Sequence, residues 1–244
     1  MPAGTVTELH RWPVKSFGGE PVDTFLVDAR GVAGDRTQAL FDTFKDAPRQ
    51  LTARQESRLL AWRGSYGGAD FPPDAPPLPT VTAPDGRTFG WEDPALPGAL
   101  ATDLQREVVL RRDVAGQQDL ERSVLITTQA TLEAVAAELG YDALDLRRMR
   151  TNVHVALDDG TPAFAEEGWE GRSVTVGEAE FVLLHPCVRC VIPTRDPDTG
   201  VKDARILRHL TREHGGLFGM NARYVGPADA GPARIALGDH ITFR

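Results

Sequence analysis

Apolar and polar residues alternate along much of the first third of the chain, a pattern that predicts β-strands with one buried face. The first strand is expected over residues 5–12, the second over 22–27, and a third starts over 38–41. Residues 72–79 hold five prolines, which excludes a helix or an interior strand and predicts a surface connection. An Asp-Gly pair at 85–86, between two short apolar runs, predicts a hairpin.

Three segments instead show the spacing of an amphipathic helix. Their apolar residues are Leu96, Leu100 and Leu104 in the first, Leu132, Val135, Ala136 and Leu139 in the second, and Ile206, Leu207 and Leu210 in the third. Further short strands are predicted over 124–127, 153–157, 174–176, 180–184, 219–225 and 235–243. The pattern therefore predicts a mainly β protein with some helix (α+β), organised as two β-rich units over residues 1–92 and 93–244.

Composition narrows the class of protein. The chain has 244 residues, 41% of them hydrophobic, and a net charge of −8 with an isoelectric point near 5.3. Such values are typical of a soluble globular protein, and the acidic balance argues against non-specific binding to nucleic acid. No apolar stretch approaches the roughly 20 residues that span a bilayer, and no signal-like segment opens the chain. We therefore expect a cytoplasmic protein with neither a nucleic acid nor a membrane as its partner.

The stretch from His185 to Gly200 contains both cysteines of the chain and is where function is expected to concentrate. A free cysteine binds metal or attacks as its thiolate, and a neighbouring arginine stabilises that anion. Because Arg189 directly precedes Cys190, Cys190 is the better candidate thiolate, and Cys187 is expected to be a small structural group. Taken alone, the Cys-x-x-Cys segment also fits a redox dithiol, and Cys190 also fits a buried structural cysteine. A four-ligand zinc site would need a second cysteine pair, which the chain lacks.

Seven short motifs, in their order and spacing, resemble those of one known family. They are Trp12-Pro13-Val14-Lys15-Ser16, Gly34-Asp35-Arg36, Leu51-Thr52-Ala53-Arg54-Gln55, Arg150-Thr151-Asn152, Cys187-Val188-Arg189-Cys190, Asp196-Pro197-Asp198-Thr199-Gly200 and Leu217-Phe218-Gly219-Met220-Asn221. The chain resembles a MOSC-domain protein preceded by a MOSC N-terminal β-barrel domain, similar to the mitochondrial amidoxime-reducing component and its bacterial relatives. The resemblance implies that both β-rich units are β-barrel-like, the second being the MOSC domain, with a ligand cleft between them.

The resemblance also implies a cofactor and its ligands. The second cysteine of the Cys-x-x-Cys segment is the catalytic molybdenum thiolate in that family, which carries over to Cys190. The implied cofactor is molybdenum-molybdopterin (Mo-MPT), with contacts from Lys15, Ser16, Arg36, Arg150, Val188, Arg189 and Asn221. Its phosphate and anionic dithiolene need local cations, and arginine offers a planar fork for phosphate oxygens. Asn221 stands where the family has a tyrosine, and Glu121-Arg122 replaces a Thr-Ser pair.

The implied activity is reduction of small N-hydroxylated or N-oxygenated compounds. The chain has no cysteine cluster for an iron–sulfur centre and no glycine-rich nucleotide fingerprint. Electrons are therefore expected from a separate ferredoxin-, flavodoxin- or cytochrome b5-like protein and its reductase. Pyridoxal phosphate binding is a further function that the resemblance associates with the domain.

Other interpretations of the same residues stay open. A sulfur carrier or molybdopterin carrier would use Cys190 as a persulfide or a thiolate without turnover, and a non-catalytic two-barrel module would carry neither metal nor labile sulfur. Without the resemblance, Lys15 and Arg36 would be solvated surface charges. Arg147, Arg148 and Arg150 would likewise form an exposed charged edge. Metal analysis of protein expressed with molybdate separates these alternatives.

Overall fold

The computed structural model describes residues 3–115, 122–158, 160–226 and 231–244. These residues form seventeen β-strands and three α-helices, together with four short 3-10 helices. The strands are β1 (Ala3–Arg11), β2 (Glu20–Pro21), β3 (Thr24–Asp28), β4 (Gly31–Val32), β5 (Gln38–Phe44), β6 (Ala47–Leu51), β7 (Arg63–Ser65), β8 (Thr80–Thr82), β9 (Thr88–Gly90), β10 (Val109–Arg112), β11 (Val124–Thr128), β12 (Val153–Leu157), β13 (Ser173–Val176), β14 (Ala179–Val188), β15 (Leu217–Tyr224), β16 (Ala233–Ala236) and β17 (His240–Phe243). The α-helices are α1 (Leu96–Leu104), α2 (Gln129–Leu139) and α3 (Arg205–Glu213), and the 3-10 helices are Ser57–Ala61, Leu146–Met149, Ala165–Gly168 and Ile192–Thr194. The predicted mainly β fold with some helix is confirmed.

Seven strands close into a β-barrel. Their order is β12-β11-β15-β14-β13-β17-β1, and pairing of β1 with β12 completes the ring. Most neighbours are antiparallel, but β11 and β12 run parallel because α2 forms the crossover between them. Thr128 ends β11 and caps α2 with its hydroxyl, and Gly140 ends the helix in the left-handed conformation with a φ of 69°.

The barrel interior is filled by the apolar residues that alternate along its strands. Val6 and Leu9 from β1 meet Phe181 from β14 and Ile241 from β17 in one buried cluster. Burial of these side chains supplies the main driving force for closing the barrel. The N-terminal strand is thus a structural part of the barrel that the C-terminal half otherwise forms.

A second apolar core lies under the smaller sheets β10-β5-β6 and β7-β8-β9. Trp62 belongs to this core and is 1% exposed. Helix α1 packs Leu96, Leu100 and Leu104 into the same core, as their spacing predicts. A third small sheet pairs β3 and β4 with β16 from the end of the chain. Strand pairing therefore crosses residue 92 through three strands, β1, β3 and β5, and the domain boundary there stays a prediction.

Candidate functional site

A cavity of about 390 Å³ is lined by two distant parts of the chain, residues 15–54 and residues 123–221. All eight residues singled out in the sequence contribute to its lining: Lys15, Ser16, Arg36, Arg150, Val188, Arg189, Cys190 and Asn221. Lys15 and Cys190 thus lie on one cavity, as the motif order implied. Their roles as cofactor ligands stay a prediction.

The first motif holds one wall of this cavity in place. The backbone amide of Lys15 donates to the carbonyl of Gln38 at 2.8 Å, which ties the motif to β5. Ser16 is buried and has a left-handed φ of 68°. Its Oγ accepts a hydrogen bond from the backbone amide of Ala53 at 3.0 Å. Ser16 therefore joins the first motif, residues 12–16, to the motif at residues 51–55.

Arg36 occupies a tight turn beside this wall. Its φ is 50°, and its backbone amide donates to the carbonyl of Trp12 at 2.7 Å. The guanidinium forms a salt bridge with Asp35 and is 16% exposed, so it is not the solvated surface charge that composition alone would suggest. Asp35 Oδ1 also accepts from the amide of Trp12 at 2.8 Å and from Asn152 Nδ2 at 3.3 Å. One carboxylate therefore anchors the turn and offsets part of the Arg36 charge.

Arg150 is the deepest cation of the cavity. It ends the 3-10 helix Leu146–Met149 in the left-handed conformation, and its Nη1 donates to the carbonyl of Phe17 at 2.6 Å. The guanidinium carbon lies 4.3 Å from the ring centroid of Trp12. Nη2 is buried without a hydrogen-bond partner, and no carboxylate in the described ranges forms a salt bridge with Arg150. Among the described residues, Arg150 is therefore a buried cation without a salt-bridge partner, and the charge of Asp35 favours its protonated form without forming an ion pair.

Burial is the largest cause that lowers the pKa of Arg150, to about 9, and the positive charge of Arg36 lowers it further. The guanidinium still stays protonated at neutral pH. The interpretation of Arg147, Arg148 and Arg150 as one exposed edge is wrong for Arg150. Arg147 and Arg148 do bind surface carboxylates, with Arg147 bonded to Asp198 at 2.7 Å and Arg148 bonded to Asp196 at 3.0 Å.

The two cysteines are free and half-buried where β14 ends. Arg189 Nη1 donates to the sulfur of Cys187 at 3.2 Å, and its Nη2 donates to the carbonyl of Met149 at 2.6 Å. The expectation that Arg189 stabilises Cys190 is therefore not met, because residues two apart on an extended segment share a face and adjacent residues do not. The Cys190 sulfur instead lies close enough to Arg150 for its charge to raise the pKa of that guanidinium.

Cys187 also differs from the structural group expected from the sequence. It is half-buried and lines the cavity, so its thiol faces the same space as Cys190. The guanidinium of Arg189 places its positive charge next to the sulfur of Cys187. Its Nε is buried and has no hydrogen-bond partner among the described residues. The cavity thus presents two thiols, each near a different arginine.

Asn221 lies on β15 and closes another side of the cavity. Its Oδ1 accepts a hydrogen bond from the hydroxyl of Ser123 at 3.3 Å, and its Nδ2 lies 3.4 Å from His185 Nδ1. His185 Nδ1 is also 3.0 Å from the carbonyl of Pro186, which agrees with a locally hydrogen-bonded histidine. Of the pair Glu121-Arg122, Glu121 lies outside the described residues, and Arg122 has a φ of 52°.

Sequence reasoning missed two contributions to the cavity. Arg54 adds a fifth cation, and Asn152 fixes the wall behind the cavity by accepting from the amide of Leu125 at 3.2 Å and donating to the carbonyl of His10 at 3.2 Å. Both residues stand inside motifs quoted above, so their position in those motifs was the available signal.

The charge balance of the lining is one-sided. Lys15, Arg36, Arg54, Arg150 and Arg189 contribute to it, and no aspartate or glutamate does. Such a lining suits an anion, above all one with phosphate oxygens. Within the described ranges, no group of three or more His, Cys, Asp or Glu side chains could hold a metal ion.

The fold and the cavity define a class of protein: a β-barrel protein with a cationic, carboxylate-free cavity next to two free thiols. Residues 101–242 match the MOSC domain, and residues 3–146 match the MOSC N-terminal beta barrel domain. The chain belongs to the MOSC family and carries both of these domains. The two matches overlap over residues 101–146, as the interleaved strand pairing would lead one to expect.

Similar proteins carry names that bear on function. The chain is 26% identical to mitochondrial amidoxime reducing component 2 of Macaca fascicularis, over 83% of this chain and 70% of that protein. It is 30% identical to mitochondrial amidoxime-reducing component 1 of Mus musculus, over 83% of this chain and 68% of that protein. It is also 28% identical to the molybdenum cofactor sulfurase of Bos taurus, over 50% of this chain and only 14% of that protein. No helix in the described ranges is long and apolar enough to cross a membrane.

Proposed function

We propose that this protein binds molybdenum-molybdopterin in the cationic cavity and reduces N-hydroxylated or N-oxygenated small molecules. The observation that carries the proposal is the lining of five cations without a carboxylate, in a chain whose net charge is −8. The buried Arg150 has no counterion among the described residues, which an anionic group would supply. The residues present therefore fit a ligand that combines a phosphate with sulfur and a metal.

Each wall has a distinct part in holding the cofactor. Arg150, Arg36 and Lys15 would bind the anionic oxygens, with Ser16 keeping the segment 51–55 beside them. Arg189 and Val188 close the side formed by the end of β14, and Asn221 closes the side formed by β15. Cys190 would give its thiolate sulfur to the metal, since a coordinating thiol is deprotonated. Arg150 lines the same cavity as the Cys190 sulfur.

The overall reaction is a two-electron reduction. When bound, the molybdenum cofactor supplies two-electron redox chemistry that amino-acid side chains lack. An N-hydroxyl substrate takes two electrons and two protons, its N–O bond breaks, and the products are the N–H compound and water. The amidoxime-reducing relatives support this substrate class by their names. The chain has two cysteines in all, too few to hold an iron–sulfur cluster alone.

Electrons would therefore reach the cavity from a separate ferredoxin-, flavodoxin- or cytochrome b5-like carrier and its reductase. A cytoplasmic location follows from the composition and belongs to the same proposal.

The two cysteines give a matched test. Cys190→Ser replaces a soft sulfur donor with a poor hard one, so we expect loss of amidoxime reduction driven by a reduced dye, even where pterin stays bound. Cys187→Ser changes the same atom three residues away and should keep the metal and most of the turnover. Molybdenum content, pterin content and turnover are measured for both variants and for the wild type.

Full activity in Cys190→Ser would contradict the proposed ligand. Equal loss in both variants would indicate that the two thiols act as one dithiol.

A second candidate function is a sulfur or molybdopterin carrier. The observation that favours it is a second thiol in the same cavity, that of Cys187, whose sulfur accepts a hydrogen bond from Arg189 Nη1 at 3.2 Å. A carrier would release sulfur from a persulfide when treated with cyanide, and would not turn over an amidoxime. Molybdenum-dependent turnover without cyanide-labile sulfur would reject the carrier function, and absence of both would leave a binding module.

A further inference from the structure

A second concave surface adjoins the cofactor cavity. We name it the basic groove and define it by Arg54, Arg195, Lys202, Arg208 and Arg212, which line a space of about 580 Å³. Ala53 and Arg54 line both the groove and the cavity, so the two are direct neighbours. No aspartate or glutamate contributes to the groove. In a chain of net charge −8, this is a local excess of positive charge.

Three of the five cations of the groove are available for an outside partner, whereas Arg212 forms a salt bridge with Glu213. Arg54, Lys202 and Arg208 are exposed and form no salt bridge with any carboxylate in the described part of the chain. Of the nearby acids, Asp203 bonds to Arg205 outside the groove at 2.6 Å, and Glu213 pairs with Arg212. Buried Ile206 and Leu210 hold α3 against the protein, which leaves the other face of the helix, with its arginines, towards the groove.

Apolar residues stand beside these cations. Val188, Val191 and Val201 are 71%, 41% and 65% exposed, and they belong to the segment that carries the cysteines and to the turn after it. Val191 also lines the groove, and Val188 lines the cavity. Exposed apolar groups beside a cluster of cations are typical of a protein-docking surface, where charge guides encounter and apolar contact adds affinity.

We infer that the basic groove docks the acidic face of a one-electron carrier protein of the ferredoxin type. This inference rests on the proposed function, which requires an external electron source. An acidic carrier is repelled by most of a chain with net charge −8, so a cationic surface beside the cavity determines where it binds. Two reduced carriers each lose one electron there. The N-hydroxyl substrate gains both electrons with two protons and yields the N–H compound and water.

The groove is also better suited to a protein than to a small anion. Its cations lie on different elements, with Arg54 after β6, Lys202 before α3 and Arg208 on α3 itself. These three cations are exposed, whereas Arg150, the cavity arginine proposed to bind anionic oxygens, is buried. A broad surface of exposed cations with apolar neighbours matches a transient protein interface, which is small and governed by charge.

The test uses charge reversal at two groove residues that lie outside the cavity lining. The double variant Lys202→Glu/Arg208→Glu is compared with the control Arg87→Glu/Arg223→Glu, which reverses two exposed charges elsewhere. Amidoxime turnover of the metal-loaded protein is measured with plant-type [2Fe–2S] ferredoxin and its NADPH-dependent reductase, and separately with dithionite-reduced methyl viologen. At low ionic strength we expect the KM for ferredoxin to rise about tenfold or more in the groove variant.

Turnover with methyl viologen should stay at the wild-type level in both variants, and the control should keep the wild-type KM for ferredoxin. An unchanged KM in the groove variant would overturn the inference. So would an equal loss of methyl viologen turnover, because the groove would then belong to the catalytic machinery. Added salt should raise the wild-type KM for ferredoxin and have little effect on the groove variant.

Binding separates this inference from the proposed function. Calorimetric titration with oxidised ferredoxin needs no turnover, so it tests docking even if amidoxime reduction is absent. Binding by the wild type and the control, lost in the groove variant, would support the docking surface. Groove-dependent self-association in size-exclusion chromatography, or displacement of ferredoxin by millimolar inorganic phosphate at constant ionic strength, would overturn it in favour of a second copy or a small anion.

Discussion

Arg11 and Arg150 are both buried arginines, but their surroundings differ in one respect. Arg11 ends β1 and is 0% exposed, and its Nε and Nη2 donate to Glu20 Oε1 at 2.8 and 2.6 Å. Arg150 is 7% exposed and has no carboxylate partner among the described residues. Each guanidinium keeps one buried nitrogen without a hydrogen-bond partner. The difference between the two sites is therefore the counterion.

This difference separates a structural arginine from a binding one. A buried charge is costly unless it is paired, and breaking an existing pair leaves that cost uncompensated. Glu20 offsets the cost within the fold for Arg11, whereas Arg150 has backbone and aromatic contacts but no salt bridge to a carboxylate of the described ranges. Under the proposed function, the cavity around Arg150 takes its anion from outside, whereas the pair Arg11–Glu20 contributes to stability.

The largest expected effect on stability comes from breaking the ion pair between Arg11 and Glu20. Glu20→Gln leaves Arg11 buried without a counterion, and it weakens the hydrogen bonds that Glu20 Oε2 accepts from Ser65 and from the amide of Tyr66. We expect the free energy of unfolding to fall by about 3 to 5 kcal/mol, measured by urea denaturation at neutral pH. A loss below about 1 kcal/mol, the range of an exposed ion pair, would show that Arg11 does not depend on its carboxylate.

The next largest expected effect is on the pH dependence of stability and concerns His154, a buried basic side chain that can lose its proton. His154 is 0% exposed, and burial lowers its pKa from 6.5 to about 4. Its ring nitrogens lie 2.7 Å from Thr127 Oγ1 and 2.8 Å from Gln129 Oε1, which holds the neutral ring in place. Because the pKa is lower in the folded state, this stability is complete above pH 6.5 and is lost as the pH falls towards 4.

The full loss should reach about 3 kcal/mol, read from urea denaturation between pH 7 and pH 4. His154→Gln should remove that part of the pH dependence and leave the contribution of the carboxylates. An unchanged pH profile in the variant would show that the ring is not kept neutral by burial.

The smallest expected effect on stability is at the binding arginine. Arg150→Met removes a buried charge without a carboxylate partner and keeps an unbranched side chain of similar length. We expect the free energy of unfolding of the ligand-free protein to stay unchanged or to rise by about 1 kcal/mol. A fall of several kcal/mol, as in Glu20→Gln, would make the two arginines equivalent and end the distinction between them.

The buried faces of helices and strands could be predicted from the sequence, because apolar residues repeat with the period of each element. The stripe of Leu96, Leu100 and Leu104 fixed which face of α1 is buried, and the alternation along residues 5–12 matched β1. Closure of the barrel was not predictable from local pattern, since it depends on pairing between residues as distant as Gly4 and Leu157. Periodicity reports which face of a strand is buried and not which partner it has.

The site shows the same limit at single residues. The eight candidate residues came from the order of motifs, and the structure places them around one cavity. The contact of Arg189 with Cys187 was missed because adjacency to Cys190 in the sequence was taken for proximity, whereas residues two apart on an extended segment share a face. Burial of Arg150 was missed because a lone arginine is usually exposed.

The most direct measurement of the central claim is the molybdenum and pterin content of the purified protein after expression with molybdate. We expect the purified wild-type protein to contain molybdenum and molybdopterin in equal molar amounts, as the anionic ligand of the cavity. Arg150→Met should lose most of both while keeping its fold, and the matched control Arg147→Met, which removes a surface arginine outside this cavity, should keep them. Protein free of molybdenum and pterin, or equal cofactor content in Arg150→Met and the wild type, would contradict the account.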